Sequence, residues 1–117
     1  MPDIKSEVFY LAADLSEISG CIGISYLQIG SVKSGDALQI LHESYHTNAD
    51  TGMIMLSHED EEGRVILSGK PGVTVGAAKR ILSVGDAYYF NSRELHRFKN
   101  VGSKISTVVC AFRPPIF

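Results

Sequence analysis

The stretch "SHEDEEGRVILSG" (residues 57–69) combines a histidine, several carboxylates, an alternating run and a closing glycine. In a β-strand, residues of equal parity lie on one face, so Glu62, Arg64 and Ile66 are predicted to share a side. A carboxylate and a guanidinium in register with isoleucine indicate polar groups on the face that also packs inward. The stretch therefore predicts a polar site on β-structure.

The rest of the chain carries the same kind of signal. From Cys21 onward, short apolar or alternating runs are separated at close intervals by Gly, Asp, Asn and Pro, a pattern typical of a barrel or sandwich. The first 20 residues have mixed helix-like spacing and predict an N-terminal arm or a short helix. A length of 117 residues predicts a single domain over 1–117, with the barrel spanning 21–117.

Turn chemistry predicts how some of the strands connect. The segments "SGKPGV" and "SVGDAYYF" each combine a glycine with other turn-forming residues, and each is expected to join neighbouring antiparallel strands. The tail "RPPIF" cannot continue an internal ladder, because its two prolines donate no amide hydrogens. We expect the tail to lie over an outer edge.

Composition narrows the class of partner. The chain is 44% apolar and 21% charged with a formal net charge of −2, so nucleic acid is not an expected partner. No apolar run approaches the ~20 residues that span a bilayer, and the N-terminus carries acids where a secretory signal carries bases. The sequence therefore predicts a cytoplasmic protein without a membrane partner. Cys21 and Cys110 are expected to be reduced, buried thiols.

Three side chains form a candidate metal site. If "GMIMLSH" and "HRFKN" are strands facing the same interior as Glu62, then His58, Glu62 and His96 converge. Two imidazoles and one carboxylate form a facial triad that suits Fe, Mn, Ni or Zn and leaves positions open for water or substrate. Arg64, Tyr88 and Phe98 are the residues predicted to contact a bound molecule.

Two spacings resemble the motifs of a known family, the small single-domain cupins. The segment "LSHEDEEGRVILSG" matches the pattern G-x5-H-x-H-x3,4-E-x6-G at His58, Glu62 and Gly69. The segment "GDAYYFNSRELHRFKN" matches G-x5-P-x-G-x2-H-x3-N at Gly85, His96 and Asn100. The chain is also similar to the cupin sensor domains of bacterial helix-turn-helix regulators. The resemblance implies a double-stranded β-helix, also called a jelly-roll barrel, and a homodimer, for which Tyr26 or Tyr89 offers an outward apolar face.

The chain departs from the family pattern in ways that leave its function open. Leu56 replaces the first motif histidine, so the usual four-ligand site has at most three ligands here. Asn91 and Arg93 stand where the second motif has proline and glycine. A chain of this length has no room for a DNA-binding half. Glu59, Asp60 and Glu61 are predicted to form a solvated acidic turn; the alternative for Glu61 is that it serves as a substitute ligand.

Alternatives also remain for the basic residues around the site. Arg64 has two interpretations: an ion pair with Glu62 that stands in for a metal, or an anchor for a substrate carboxylate. His42 and His46 would lie about 13 Å apart on a strand at ~3.3 Å per residue, so they cannot share one ion. Both are predicted to be surface or rim residues.

The sequence supports three hypotheses for function. The first is a divalent-metal cupin with oxygenase, isomerase or lyase chemistry on a small polar or anionic metabolite. The second is a metal-free cupin that binds or senses a small molecule without catalysis, an interpretation that Leu56 favours. The third is a structural barrel whose interior pairs Glu62 with Arg64 and the histidines. The first is the leading hypothesis and the third is the weakest, and the type of reaction stays open because fold does not imply function.

Overall fold

Short β-strands make up nearly all the regular structure in the computed structural model, which describes residues 8–15, 17–20, 22–54, 60–91 and 93–117. The strands in these residues are β1 (Glu17–Ser19), β2 (Ile24–Ile29), β3 (Gln39–Tyr45), β4 (Glu61–Ser68), β5 (Pro71–Val75), β6 (Ala78–Ile81), β7 (Ala87–Asn91), β8 (His96–Asn100) and β9 (Ser106–Arg113). A single 3₁₀ turn, Ala12–Asp14, precedes β1. No α-helix occurs in the described residues, and the prediction of an all-β fold is confirmed.

The strands form two antiparallel sheets that face each other. Six strands lie in the order β1-β2-β3-β9-β4-β7, and three lie in the order β6-β5-β8. One buried apolar cluster draws side chains from both sheets, including Tyr45 and Ile66 from the larger sheet and Val73 and Phe98 from the smaller one. The inward faces of the two sheets therefore enclose one core.

Alternation along β4 and β8 sets the polar site. On β4, Glu62, Arg64 and Ile66 are buried while the residues between them are more exposed, as the parity of the sequence predicts. On β8, Phe98 and Asn100 are buried on the side that His96 also faces. Of the predicted strand "GMIML", the structure describes residues 52–54, where Ile54 forms an isolated bridge with His96. Residues 55–59 lie outside the described part of the chain.

Two turn predictions are wrong in what they connect. Strand β4 belongs to the six-stranded sheet and β5 to the three-stranded one, so "SGKPGV" crosses between sheets, and Pro71 and Gly72 lie within β5 itself. "SVGDAYYF" crosses back from β6 to β7. Gly69 makes the first crossing possible: its φ is +83°, and a Cβ there would lie 2.7 Å from Cα of Ser106.

Both ends of the described chain pack against the six-stranded sheet. In the N-terminal arm, β1 pairs with β2, with Ile18 opposite Tyr26. The tail does not lie over an outer edge, as the sequence suggested. Instead, Gln39 of β3 accepts hydrogen bonds from the backbone amides of Ile116 and Phe117 at 3.1 and 3.4 Å. The ring of Phe117 packs against Tyr26, so the tail covers one end of the barrel.

Other expectations concern thiols and membranes. Cys110 is free and buried in β9, as predicted, whereas Cys21 lies outside the described residues. Burial raises the pKa of the Cys110 thiol.

Within the described ranges, no helix has the length and apolar character to cross a membrane.

Candidate functional site

A partly open cavity of about 130 Å³ lies inside the barrel beneath the C-terminal tail. Its apolar wall is formed by Tyr26, Leu41, Ile54, Phe112, Ile116 and Phe117. Its polar wall is formed by Glu43, Tyr45, Thr51, Glu62, Arg64 and His96. The cavity thus has one apolar and one strongly polar wall, which is the arrangement expected of a small-molecule site.

A buried arginine organises the polar wall. Nε and Nη2 of Arg64 donate to Oε2 of Glu62 at 3.1 and 3.0 Å. Nη1 donates to Oε1 of Glu43 at 2.8 Å and to the hydroxyl of Tyr45 at 3.3 Å. The hydroxyl of Tyr45 in turn donates to Oε1 of Glu43 at 2.9 Å. We refer to Glu43, Arg64 and Glu62 as the ion-pair network.

Electrostatics fix the protonation of the donors in this network. Burial is the largest single influence on the pKa of Arg64 and lowers it, but Glu43 and the smaller effects of other neighbouring side chains together leave the pKa of the guanidinium well above its ordinary value. Burial raises the pKa of Tyr45, so its phenol stays a donor at neutral pH. The guanidinium also lies 5.6 Å from the ring centre of Phe98 and 5.8 Å from that of Phe112, within cation–π range.

His96 turns one ring nitrogen towards the cavity. Its Nδ1 lies 2.7 Å from the carbonyl oxygen of Glu94. A carbonyl can only accept, so this nitrogen carries a proton, and Nε2 is the ring nitrogen that faces the cavity. Nε2 lies 3.9 Å from Oε1 of Glu62. The two atoms therefore face a common part of the cavity.

The structure brings some of the predicted site residues together and separates others. Glu62, Arg64 and His96 all line the cavity. Phe98 is buried beneath Arg64 and packs against Tyr45, with ring centres 4.2 Å apart. Tyr88 lies on the inward side of β7 but lines a separate groove beside β5 and β6. His58 lies outside the described residues.

The residues outside the predicted triad occupy several different positions. Glu61 is exposed and accepts a hydrogen bond from Tyr89. Asp60 is buried rather than solvated, which corrects that part of the acidic-turn prediction. His42 is half-buried, on the face of β3 opposite to Glu43, and His46 is exposed, as predicted. Asn100 donates to the carbonyl oxygens of Tyr45 and Lys104, which ties β8 to its neighbours.

Sequence reasoning missed two members of the polar wall, Glu43 and Tyr45. Both lie on the inward side of β3, where burial alternates strictly along Gln39–Tyr45. The signal was present in "LHESY", in which Glu43 has the parity of Leu41 and Tyr45. A carboxylate in register with two large apolar residues is the same pattern that identified Glu62.

The described residues do not fit a resident divalent metal. Among them, no group of three or more His, Cys, Asp and Glu side chains is arranged to hold an ion. Glu62 and His96 offer two donors, but Oε2 of Glu62 is bound by Arg64, so a metal here would lie close to a guanidinium. Such a pair of cations repels at short range in a low-dielectric interior.

Family comparison agrees with the fold and with the two motifs. The model described as "Cupin domain" matches residues 41–112, which is more than half of the chain, so the chain belongs to the cupin family. It is 27% identical over 104 residues to the HTH-type transcriptional regulator PuuR of Escherichia coli (strain K12). That match covers 89% of this chain and 55% of the regulator, so the chain spans about half the length of the curated relatives it matches.

Solved structures of diverse cupins share the architecture. KdgF from Halomonas sp. superposes with a TM-score of 0.77 at 19% identity, covering 92% of this chain and 94% of that one. Ectoine synthase from P. lautus gives 0.78 at 15% identity, covering 94% and 80%. The Cupin_2 domain of an XRE family transcriptional regulator from Enterobacter cloacae gives 0.69 at 13% identity, covering 80% and 98%. At these identities the likeness establishes the fold alone.

Proposed function

We propose that this chain is a non-catalytic cupin domain that binds a small molecule inside the barrel without a resident divalent metal. The observation that carries the proposal is the ion-pair network, in which the charge of Arg64 compensates the buried Glu43 and Glu62. A buried carboxylate requires such compensation. Here the protein supplies, from its own side chains, a cation beside the carboxylate at the glutamate position of the first motif.

The shape and rigidity of the site support recognition. Arg64 uses four of its five N–H donors on protein groups, two on Glu62 and one each on Glu43 and Tyr45. Little donor capacity remains for a substrate carboxylate, which favours the ion-pair interpretation of Arg64 over the anchor interpretation. The polar wall is therefore held in a fixed geometry before any ligand arrives, which reduces the cost of ordering the site on binding.

Similarity to transcriptional regulators favours a sensing role, in which the domain binds a small molecule as a signal. The curated relative is a transcriptional regulator, and one structural neighbour is the cupin domain of another regulator. We propose the same kind of role for residues 1–117 as one cytoplasmic domain, with 1–20 as an arm on the barrel. Any contact with nucleic acid belongs to another polypeptide segment rather than to this barrel.

We further propose a homodimer that pairs through the outer face of the six-stranded sheet.

A ligand screen with a matched cavity variant tests this function. Protein purified without chelator is melted alone, with EDTA, and with a panel of cationic, neutral and anionic metabolites. We expect EDTA to leave the melting temperature unchanged and at least one metabolite to raise it. The Ile54→Trp variant, which places a larger side chain into the cavity, is expected to abolish that rise. A panel without any cavity-dependent ligand would count against the proposal.

A divalent-metal site remains the second candidate, favoured by the 3.9 Å approach of His96 Nε2 to Glu62 Oε1. The carbonyl of Glu94 fixes the tautomer of His96, as outer partners do for metal-binding histidines. His58 would have to supply the third ligand, and a bound Fe, Mn, Ni or Zn ion would supply Lewis-acid chemistry. Stoichiometric metal in the parent protein, lost in His96→Ala and retained in His42→Ala, would favour this candidate.

A further inference from the structure

We propose that the two copies of the homodimer exchange their N-terminal arms, so that residues 8–11 of one copy lie in the groove between β6 and β7 of its partner. We refer to this groove as the edge groove. The inference goes beyond ligand binding and rests on the proposed homodimer, because it names the segment and the acceptor surface of that contact. Four features carry it: an exposed apolar segment, the lining of the edge groove, the order of strands and the distribution of charge.

The N-terminal arm exposes a run of apolar side chains. Val8, Phe9 and Leu11 are 77%, 82% and 63% exposed. Tyr10 faces its own barrel, where it lines a surface pocket with residues of β1 and β2. Leu11 has extended backbone angles, and side chains of an extended segment alternate between two sides, so Phe9 and Leu11 lie on the side opposite to Tyr10. A cluster of exposed apolar side chains of this size indicates a contact surface.

The edge groove provides an apolar lining between two strand edges. Its volume is about 590 Å³, and its apolar lining consists of Val73, Val75, Leu82, Ala87 and Tyr88. Among the described strands, β6 pairs with β5 alone and β7 with β4 alone, so each has one edge without a strand partner. The groove holds roughly twenty non-hydrogen atoms at about 30 Å³ for each water-sized unit, which is enough for a few residues of extended chain. Such an edge accepts an added extended segment.

The order of strands determines which two-fold axis brings the arm to the edge groove. Strand β1 lies at one edge of the six-stranded sheet and β7 lies at the other. When two such sheets pack face to face about a two-fold axis that runs along the strands, the order of strands reverses across the interface. The β1 edge of one copy then lies against the β7 edge of its partner. Tyr89 connects the two surfaces, because it lies on the exposed face of β7 and also lines the edge groove.

The length of the arm favours the groove of the partner over its own. Phe9 and Leu11 precede the start of β1 by eight and six residues, and these include the 3₁₀ turn. The arm therefore reaches roughly 16–23 Å from β1, at about 2 Å per residue in the turn and ~3.3 Å elsewhere. Its own edge groove lies beyond the whole width of the six-stranded sheet, about 24 Å at ~4.8 Å between strands. A packed partner sheet is only about 10 Å away.

Charge also favours this contact. Residues 1–20 contain four acidic residues and one lysine. Lys79 and Arg80 line the edge groove. Arg80 lies opposite Val73, whose side chain is buried, so Arg80 is on the groove side of β6. Arm exchange brings an acidic segment to a basic strand edge, and opposite charges of this kind favour the correct orientation of the two copies.

Spin labels test where the arm lies. A nitroxide is attached at Val8→Cys in a Cys21→Ser background, and this chain is mixed with a nitrogen-15-labelled chain that carries no nitroxide. We expect NMR line broadening at the amides of Lys79, Arg80 and Ala87 in the nitrogen-15 chain. A second sample has both labels on one chain, diluted with excess unlabelled protein, and reports contacts within the chain.

Val101→Cys provides the matched label position. Val101 is 47% exposed and lies beside Gly72, on the outer side of the three-stranded sheet. That side faces away from the proposed dimer contact. A nitroxide at Val101→Cys is therefore expected to leave the edge groove of the other chain without broadening.

Substitutions in the arm measure its contribution to the dimer. The double variant Phe9→Ser, Leu11→Ser is expected to raise the dissociation constant of the dimer at least about tenfold, because apolar area is lost from both copies of the contact. Val101→Ser, Ile105→Ser removes two other exposed apolar side chains and should change the constant by less than about twofold. Sedimentation over a series of protein concentrations gives the constants. All four side chains are exposed, so the barrel is expected to fold in both variants.

The outcomes distinguish arm exchange from the dimer and from ligand binding. A dimer in which the arm label broadens the groove of its own chain, or broadens neither groove, would overturn arm exchange and leave contact through the sheet face. An unchanged dissociation constant in the Phe9→Ser, Leu11→Ser variant would also overturn it. A monomeric parent overturns arm exchange together with the homodimer, whereas the ligand screen tests the small-molecule function in either oligomeric state.

Discussion

At the scale of single residues, Arg64 is the side chain on which the polar interior depends most. It is the described cation that contacts both Glu43 and Glu62, and each of these three side chains is less than a tenth exposed. We predict that Arg64→Met lowers the free energy of unfolding by about 3–5 kcal/mol, because it removes the cation that contacts both buried carboxylates. Urea unfolding at neutral pH measures the loss.

Two further variants make the Arg64 prediction specific. Arg113→Met at the exposed end of β9 removes the same side chain from the surface and should cost no more than about 0.5 kcal/mol. The triple variant Glu43→Gln, Glu62→Gln, Arg64→Met removes all three charges and should recover much of the stability. A loss that persists in full in the triple variant would show that packing of the arginine stem, rather than charge, explains the effect.

The sequence predicted part of this residue-scale arrangement. The two-residue spacing of Glu62 and Arg64 predicted that both lie on the same inward face of a strand. The match to the second motif predicted that His96 lies beside them. It could not predict that Arg64 reaches Glu43, because these residues are 21 positions apart and lie on strands separated by β9. That contact depends on the order of strands in the sheet, which a local pattern does not contain.

At the scale of elements, the loop between β3 and β4 is fastened to β8 by the Asp50–Arg97 ion pair. Nε of Arg97 donates to Oδ1 of Asp50 at 2.9 Å, and Nη2 donates to Oδ2. The hydrogen bond from Arg97 is the largest cause that lowers the pKa of Asp50 from 3.8 to about 2. Because the folded-state pKa is depressed, the pair stabilises the fold above about pH 4 and loses that effect as the pH falls towards 2.

This linkage gives a prediction for Asp50→Asn. We expect a loss of about 1 kcal/mol at neutral pH, reduced from the full shift because both side chains are partly exposed to solvent. The difference between parent and variant should shrink between pH 4 and pH 2. Urea titrations across that range measure it, with Asp14→Asn in the exposed 3₁₀ turn as the control. A difference that does not depend on pH would contradict the linkage.

The C-terminal tail is a second element that a buried side chain helps to hold in place. Gln39 is fully buried, and its amide bonds the backbone of Ile116 and Phe117 and the carbonyl of Gly30. We predict that Gln39→Leu lowers stability by about 2 kcal/mol and speeds amide exchange at Ile116 and Phe117, because their partner is lost. Hydrogen exchange followed by mass spectrometry detects the change in the terminal peptide.

Gln28 provides the control for the tail. It also donates to the carbonyl of Gly30, at 3.1 Å, but none of its described hydrogen bonds reaches the tail. Gln28→Leu should therefore leave the exchange of the terminal peptide unchanged. Equal acceleration in the two variants would mean that the loop at Gly30, rather than the clamp on the tail, controls exchange.

Element by element, strand positions were more predictable than connections. Strands β3, β4 and β9 bury every second residue, because each has one face in the core. The matching alternation of residue types is visible in the sequence. The crossings after β4 and β6 were not predictable, because Gly and Pro identify a turn without telling which sheet the next strand joins. The tail was misplaced for a related reason. Its prolines exclude a ladder, but its position depends on long-range contacts with Gln39 and Tyr26 that a local pattern does not contain.

At the scale of the whole molecule, the outer face of the six-stranded sheet is the surface best suited to a second copy. Tyr89 on β7 is 68% exposed, and Val65 and Leu67 on β4 are each 44% exposed. Gly63 lies opposite Tyr89, and a Cβ there would lie 3.4 Å from the Tyr89 ring, so the tyrosine covers a flat part of the sheet. Tyr26, the other residue expected on an outward face, instead lines the cavity and packs against Phe117.

This surface predicts a dimer of identical chains, because an apolar sheet face that packs against its own copy buries the same residues on both sides of a two-fold axis. Light scattering after size exclusion should give about twice the chain mass of 12.7 kDa. The double variant Val65→Lys, Tyr89→Arg should give a monomer, because like charges meet across the axis. Val84→Lys is the control: Val84 is 66% exposed but lies in the crossing from β6 to β7, outside this sheet face. A monomeric parent would contradict the dimer. A dimer that survives the double variant and is lost with Val84→Lys would place the contact elsewhere on the barrel.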